Sequence, residues 1–216
     1  MVKTPKGNAR ERPRLTSAAI VAAAMRLADA EGLEAVSIRR VAAELEARAM
    51  SLYDHFESKQ DLLVSMVDEG VGEMLTSEPP PEDWREAIAV SARRMYAAYA
   101  SHPWMLFVHA ERARPGPNGV RLAKQVARAL ATLPLEHEDV WQLQGIVNDY
   151  VIGYAFRAAG TVNPEDMEAA IAAADLAELP ELAALPDSLR TRSSIERFEL
   201  GLRVVLDGLE RHFLGR

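Results

Sequence analysis

Apolar residues near the start of the chain recur three or four positions apart, in short blocks separated by turn signals. The first block runs from Thr16, which can cap a helix, to Gly32, which can end one. Ser37 can cap a second block, whose apolar positions fall at i, i+3, i+4 and i+7. The two blocks therefore predict two helices with one core face each, formed by Ile20, Ala24, Leu27 and Ala28, and by Ile38, Val41, Ala42 and Leu45.

A third short helix is predicted after a break near Glu46 and Ala47, with Leu52 and Phe56 directed inward. Ser58, followed three residues later by Asp61, is typical of the start of a helix. It predicts a long fourth helix that continues to about residue 72. The first sixty residues thus predict three short helices that lead directly into a long one.

The rest of the chain is also helical in pattern, and we find no alternating strand pattern and no internal repeat. Proline-rich and glycine-rich stretches at 77–83 and 114–119 predict loops, and residues 175–192 predict a partly ordered connector. The fold class is therefore all-α. The predicted helices lie at about 83–101, 104–111, 120–133, 136–159, from 163–164 onward, and 193–213, the last opened by a capping box of Ser193 and Glu196.

Charge is distributed unevenly along a chain whose net charge is −7. Residues 1–59 carry a net charge of +2 and the remainder carries −9, so the acidity of the whole does not argue against a nucleic-acid partner. Residues 1–14 hold five basic side chains and one acidic one, and they are expected to form a flexible basic arm. A solvated tail without a partner is the alternative for this arm.

Cellular location is constrained by what the sequence lacks. It contains no cysteine, which excludes disulfides and thiolate metal sites and agrees with a reducing compartment. No apolar segment follows the charged N-terminus, so a signal peptide is not predicted, and no stretch is long enough to span a bilayer. We expect a soluble, cytoplasmic protein.

Three short helices, with the third closely coupled to the second, match the plan of a helix-turn-helix unit. In that geometry the second helix of the pair lies in the DNA major groove. Inward-facing Leu52 and Phe56 leave a set of polar and aromatic side chains toward solvent or a groove, where they suit phosphate and base contacts. This set comprises Arg48, Ala49, Ser51, Tyr53 and His55, and Lys59 follows as a candidate phosphate contact. A three-helix bundle that never meets DNA is the alternative.

The spacing within these elements resembles the tetracycline-repressor (TetR) family of bacterial regulators. The resemblance covers roughly residues 14–64 and rests on Ser37-Ile-Arg-Arg-Val-Ala-Ala-Glu-Leu45 and on Leu52-Tyr-x-His-Phe-x-Ser-Lys59-x-x-Leu-Leu63. A softer resemblance to the C-terminal domain of the tetracycline-repressor type rests on Ser101-His-Pro-Trp104, Arg114-Pro-Gly-Pro-Asn118 and the closing Phe198-to-Leu209 segment. The domains implied are the arm at 1–14, a helix-turn-helix domain at 15–62, and a helical ligand-sensing and dimerisation domain at 63–216.

The resemblance implies a role for each matching position of the first domain. Arg39 reaches the DNA backbone or an outer base, and Tyr53, His55 and Lys59 contact phosphates. Base discrimination falls to the residues that open the third helix, Arg48, Ala49, Met50 and Ser51. Two departures matter: Glu46 stands where glycine is common, and Arg48 stands where a small hydroxyl residue is common. The usual helix cap is then lost, while an arginine able to contact guanine is gained.

Dimerisation is expected of the two long helices predicted at 136–159 and 193–213, which are apolar on more than one face. The resemblance implies that they form a four-helix bundle with a second subunit. Two recognition helices must also reach half-sites about one helical turn apart, which requires a dimer. A larger monomer core is the alternative for these apolar faces.

Candidate ligand-binding residues are scattered through the second domain, and they combine aromatic or apolar bodies with a few polar groups, as pockets do. Asn148 is the strongest of them, because a buried amide needs a partner. His109 lies near a position where tetracycline-binding relatives place a metal-ligating histidine, but no second ligand is suitably spaced, so neither a metal nor another cofactor is expected. The candidates are Met95, Tyr99, Trp104, Phe107, His109, Arg112, Trp141, Asn148 and Tyr154.

Enzyme motifs are not found: the sequence has no glycine-rich phosphate loop, no G-x-S-x-G and no H-E-x-x-H. The sequence instead predicts a homodimeric repressor that a small molecule, apolar or aromatic in character, releases from a palindromic DNA operator. Ligand would shift the helix after His102, displace the fourth helix and spread the DNA-binding units. The alternative is a DNA-binding regulator whose second domain binds a protein partner.

Overall fold

The computed structural model describes residues 15–76, 81–110, 115–131, 133–161, 169 and 193–215. These residues are helical throughout, apart from caps, turns and short connections, which confirms the all-α prediction. The helices are α1 (Ser17–Glu31), α2 (Ile38–Glu44), α3 (Ala49–Tyr53), α4 (Lys59–Met74), α5 (Trp84–Ser101), α6 (Trp104–Ala110), α7 (Pro117–Leu130), α8 (His137–Phe156) and α9 (Ser194–Leu214), with a 3-10 turn at Leu33–Ala35 and a π turn at Arg157–Thr161.

The chain forms two compact units, with the division between Leu62 and Leu63, early in α4. In the first unit α2 packs against both α1 and α3. Its core contains the apolar faces that the spacing predicts, except that Leu45 is only partly buried, and Ile20, Val41 and Leu52 are completely buried there. Burial of these faces is the main force that holds three such short helices together, since isolated helices of this length are marginal in water.

Side-chain caps begin the helices where the sequence predicts them. Thr16 Oγ1 accepts a hydrogen bond from the Ala19 N–H at 3.2 Å, and Ser37 Oγ accepts one from the Arg40 N–H at 3.3 Å. Ser193 and Glu196 form the predicted capping box of α9, in which each side chain accepts a hydrogen bond from the other residue's backbone N–H. Each cap satisfies an N–H that the helix itself leaves unpaired.

The turn between α2 and α3 contains a strained residue. Glu46 has a φ of +50°, in the left-handed region, and it is the only residue other than glycine with a positive φ among those described. The Ala47 N–H donates to the Ala42 carbonyl at 2.8 Å and closes the turn. A side chain in this region costs about 1–2 kcal/mol relative to glycine. The departure from glycine noted in the sequence therefore falls where glycine has a conformational advantage.

We expect Glu46→Gly to stabilise the protein by about 0.5–1 kcal/mol, because relief of the left-handed strain exceeds the additional chain entropy that glycine loses on folding. Ala43→Gly, one turn earlier on the exposed face of α2, is the matched control and should cost about 1 kcal/mol. Urea unfolding followed by circular dichroism measures both changes. Destabilisation by both substitutions to a similar extent would contradict the strain at position 46.

The second unit is arranged around α5, which packs against α6, α7, α8 and α9. Ion pairs join α5 to α9: Arg93 Nε lies 2.8 Å from Glu199 Oε1, and Arg85 pairs with both Asp207 and Glu210. The hydrogen bond to Glu199 is the largest cause of a raised pKa at Arg93.

An aromatic cluster fills the space between α5, α8 and α9. The Phe198 ring is completely buried and stacks on Tyr96 with 4.4 Å between ring centroids. Tyr150 and Tyr154 of α8 complete the cluster, and their hydroxyls donate to the carbonyls of Phe198 and Ser194 at 2.7 and 2.6 Å. Gly201 lies against Tyr150, where any Cβ would collide with the phenol. Burial is the main cause that raises the pKa of Tyr150 to about 12.

Several predicted boundaries need correction. The loop predicted at 114–119 is wrong at its end, because α7 begins at Pro117 and includes Asn118 and Gly119. The helix predicted to reach residue 159 ends at Phe156 and passes into the π turn, where Gly160 has a φ of +103°. In addition, α4 extends two residues past the expected 72, and α7 ends at Leu130. The arm at 1–14, the helix expected from 163–164 and the connector at 175–192 lie outside the described residues.

Across the described part of the chain, no helix is both long and apolar enough to cross a membrane.

Candidate DNA-binding face and ligand cavity

The predicted DNA-contacting residues lie on α2, on α3 and the residues that flank it, and at the first position of α4. Arg39, Arg48 and Lys59 are exposed, and none of the three forms a salt bridge with the residues that the structure describes. Met50 is 74% exposed and Tyr53 is 49% exposed on the five-residue helix α3. Ala49 and Ser51 are partly exposed on the same helix. We call this set, together with His55, the α3 face.

Neighbouring arginines of α2 differ in their environment. Arg40 Nη2 lies 2.6 Å from Glu31 Oε1 of α1, and this hydrogen bond is the largest cause of a raised pKa at Arg40 and a lowered pKa at Glu31. Arg40 thus has its counter-ion within the protein, whereas Arg39 has its guanidinium available for a phosphate.

Arg48 occupies the N-cap position of α3 and makes no side-chain hydrogen bond to the helix. The loss of the usual cap, expected from the departure at this position, is therefore present in the structure. The guanidinium remains free for an external partner, and an arginine can contact guanine through two hydrogen bonds.

His55 has a structural contact in addition to its predicted role. Its Nδ1 lies 3.1 Å from Ser17 Oγ in the first turn of α1, and the residue is half-buried. This hydrogen bond links the end of α3 to α1. It leaves Nε2 as the ring atom that could reach a phosphate.

A cavity of about 740 Å³ lies within the second unit. Helices α4, α5, α7 and α8 supply most of its walls, and the short segments before α7 and α8 complete them. The lining is largely aliphatic, as in small-molecule sites of this size. The apolar lining residues include Val67, Val71, Met74, Met95, Leu122, Val126, Leu130, Val140 and Ile152.

A few polar groups interrupt this lining. Gln144 Nε2 donates to Asn148 Oδ1 at 2.7 Å, one turn further along α8. Tyr99 of α5 is buried, and burial raises the pKa of its phenol, which therefore stays neutral at physiological pH. Ser91 and His137 also reach the cavity. The cavity can thus hold an apolar body and hydrogen-bond to a few of its atoms.

Asp68 of α4 joins the cavity wall to the start of α7. Its Oδ1 accepts hydrogen bonds from the backbone N–H groups of Asn118 and Gly119 at 3.0 and 3.1 Å, and its backbone carbonyl accepts one from Asn118 Nδ2 at 2.9 Å. Gly116 lies so close to this carboxylate that a Cβ would collide with it. A carboxylate from α4 therefore caps α7 and stabilises its N-terminus.

Four of the nine predicted ligand-binding residues line the cavity: Met95, Tyr99, Trp141 and Asn148. Trp104, Phe107 and Tyr154 do not line it. Trp104 is buried beside His102, Phe107 is 54% exposed, and Tyr154 belongs to the aromatic cluster. The side chain of His109 and all of Arg112 lie outside the described residues.

Sequence reasoning missed the contribution of α4 to the cavity. Val64, Val67, Asp68 and Val71 follow the spacing of one helical face, so the pattern shows that they share a side but not what that side covers. Gln144 was also missed, although it lies four residues before Asn148 and therefore on the same face of α8.

The faces expected to meet a second subunit carry exposed apolar side chains. Ile146 of α8 is exposed, and so are Ile195, Leu200 and Val204 of α9. These helices also pack against each other within the second unit. Exposed branched residues on two adjacent helices are typical of a surface that a partner covers.

Among the described residues, no three histidine, aspartate or glutamate side chains converge as metal ligands would.

Two family models match the chain. The model described as "Bacterial regulatory proteins, tetR family" matches residues 20–66, which include α2, α3 and the start of α4. The model described as "Tetracyclin repressor-like, C-terminal domain" matches residues 76–213, which is more than half of the chain.

Curated relatives agree with these models. The HTH-type transcriptional repressor DrrR1 of Streptomyces coeruleorubidus is 32% identical, over 92% of this chain and 78% of the relative. An HTH-type transcriptional regulator of Saccharopolyspora erythraea is 33% identical over 69% of this chain, and the match spans 63% of that relative, which is less than two thirds of its length.

A solved structure shares the fold over nearly the whole chain. The TetR family protein ActR of Streptomyces coelicolor, crystallised in complex with actinorhodin, matches with a TM-score of 0.75 and 27% sequence identity. The match covers 91% of this chain and 97% of ActR.

Proposed function

This chain belongs to the tetracycline-repressor (TetR) family of bacterial transcriptional regulators, and we propose that it represses transcription as a homodimer that a small molecule releases from a palindromic operator. The observation that carries the proposal is α4 itself. Its first residue, Lys59, belongs to the predicted phosphate contacts, and one face of its later turns lines the cavity with Val64, Val67, Asp68, Val71 and Met74. One helix thus contains both a candidate DNA contact and a wall of the candidate sensor.

The relatives support both halves of the proposal. DrrR1 is named as a repressor, and ActR is a TetR family protein with a small molecule bound. By similarity, we infer that this chain represses transcription through α3 and binds its effector in the cavity of the second unit.

The cavity supports a small molecule as the effector rather than a protein partner. Its walls come from four helices and surround about 740 Å³, a size typical of small-molecule sites.

The coupling that we propose is a shift between two conformations. A molecule that fills the cavity presses on α4 and on the Asp68 cap of α7, and it favours the conformation in which α4 is displaced. A ligand can shift this equilibrium only by binding the displaced state more tightly, and a difference of a few kcal/mol is sufficient. Dimerisation through α8 and α9 would place two α3 helices at the spacing of two half-sites.

Selection from a pool of random DNA duplexes tests the DNA-binding half of the proposal, because it requires no choice of operator sequence. The full-length protein should enrich duplexes with two inverted half-sites, and gel shifts should show one dimer bound to each duplex. Sedimentation at micromolar concentration should give twice the chain mass of 23.8 kDa. Enrichment of no sequence, or of single half-sites bound by a monomer, would contradict the proposal.

A further inference from the structure

The polar groups of the cavity are concentrated at one place on α8. Gln144 and Asn148 lie one turn apart, both line the cavity, and their amides share a hydrogen bond of 2.7 Å. Gln144 Oε1 is buried, and no donor from the described residues reaches it. A buried carbonyl oxygen without a donor costs free energy, so this oxygen favours any molecule that brings one.

The hydrogen bond between the two amides determines what the pair can offer a ligand. Each primary amide has an oxygen with two acceptor lone pairs and a nitrogen with two donor hydrogens, and the shared bond uses one hydrogen of Gln144 and one lone pair of Asn148. The pair keeps an acceptor without a donor, Gln144 Oε1, and unused N–H donors on both amides. Exchanging the oxygen and nitrogen of both amides reverses which residue supplies which, but it leaves the same two functions.

The remaining lining disfavours a charged ligand. Among the described residues that line the cavity there is no lysine or arginine, so an anion would find no permanently charged counter-ion on this part of the wall. Asp68 is the lining carboxylate, and both of its oxygens accept hydrogen bonds from α7. Trp141 and Tyr99 add flat apolar surfaces to the aliphatic walls.

We propose that the Gln144–Asn148 pair is the polar subsite of the cavity, and that it takes an uncharged, planar aromatic molecule with a hydrogen-bond donor beside an acceptor on one edge. A fused-ring lactam, with N–H next to C=O, has this chemistry. The donor satisfies the buried oxygen and the carbonyl accepts from the other amide, while the rings lie against the apolar walls. The inference rests on the proposed function, because it takes the cavity as the effector site.

Two closely matched probes test the subsite. Phenanthridin-6(5H)-one is a neutral three-ring lactam, and its 5-methyl derivative keeps the rings and the carbonyl but lacks the N–H. With the full-length protein, quenching of tryptophan fluorescence and calorimetry give both dissociation constants. We expect the N–H lactam to bind about tenfold or more tightly than the methyl derivative, because only the former satisfies the buried acceptor. Equal affinities, or no binding of either probe, would overturn the proposal.

Substitutions identify the residue that causes the difference in affinity between the two probes. Gln144→Leu should reduce the ratio of the two dissociation constants to about one, and Asn148→Leu should weaken the N–H lactam by a similar factor. Gln142→Leu is the matched control, since Gln142 is exposed on the same helix and pairs only loosely with Glu138, at 3.5 Å. Thermal unfolding verifies that each variant is folded. A ratio that persists in Gln144→Leu, or disappears in Gln142→Leu, would overturn the assignment.

Operator affinity is measured with the same protein preparations. This measurement distinguishes failure of the proposed subsite from failure of the proposed repressor function, on which the subsite depends. The wild-type protein and Gln142→Leu should bind the selected operator with equal affinity, because Gln142 belongs neither to the α3 face nor to the cavity lining. If the operator is bound but the probes are not distinguished, the subsite is wrong and the repressor function stands. If no operator is selected, the proposed function fails, whatever the probes do.

Discussion

Phe198→Ala is expected to reduce the free energy of unfolding by about 3–5 kcal/mol, the loss typical of a large aromatic residue removed from a packed core. Phe198 is completely buried and contacts the rings of Tyr96, Tyr150 and Tyr154, with centroids 4.4 to 5.6 Å away. Its removal leaves a void between α5, α8 and α9 that these tyrosines cannot fill, because two of their hydroxyls are held by carbonyls of α9.

Urea unfolding at a fixed protein concentration measures this loss, and the fixed concentration keeps any dimerisation constant. Phe107→Ala is the control, because Phe107 is more than half exposed and contacts only Phe156 among the described rings. It should cost less than about 1 kcal/mol. Comparable losses for the two variants would show that the aromatic cluster does not dominate the stability of the second unit.

Local signals in the sequence were sufficient for the first unit. Caps such as Thr16 and Ser37 act through N–H groups three residues away, and the core faces follow from helical spacing alone. The position of Glu46 in the turn could also be anticipated, since the departure from glycine marks the place where the left-handed conformation occurs.

Contacts between residues far apart in the chain determine the helix boundary that the local sequence did not predict. The start of α7 was predicted three residues late because its cap is the carboxylate of Asp68, fifty residues earlier in the chain. No pattern within residues 114–120 reveals such a partner, and Pro-Gly-Pro by itself is typical of a loop.

The residues that line the cavity likewise could not be distinguished from core residues by the sequence alone. Residue type alone selected Trp104 and Tyr154 together with Tyr99 and Trp141, because large aromatic residues suit a pocket and a core equally well. The packing of α5, α8 and α9 decides which of them belongs to the aromatic cluster and which reaches the cavity. Val67 and Val71 resemble core residues for the same reason, until α7 and α8 are seen opposite them.

Arg48→Ala is expected to remove sequence discrimination at one base position in each half-site. An arginine that makes two hydrogen bonds to guanine contributes about 1–3 kcal/mol, and a dimer that contacts both half-sites loses about 2–6 kcal/mol on its operator. Arg48 is exposed, caps nothing and pairs with no acidic side chain in the described part of the chain, so its removal should leave the fold intact.

Lys59→Ala provides the contrast that identifies a base contact. A lysine that contacts only phosphate should weaken binding to every duplex by a similar factor and make the affinity less dependent on salt. We therefore expect Arg48→Ala to weaken the selected operator far more than random duplex, and Lys59→Ala to weaken both alike. Arg128→Ala, an exposed arginine of α7, should change neither. If Arg48→Ala weakens all duplexes equally, Arg48 contacts the backbone, and base reading falls to the other residues at the start of α3.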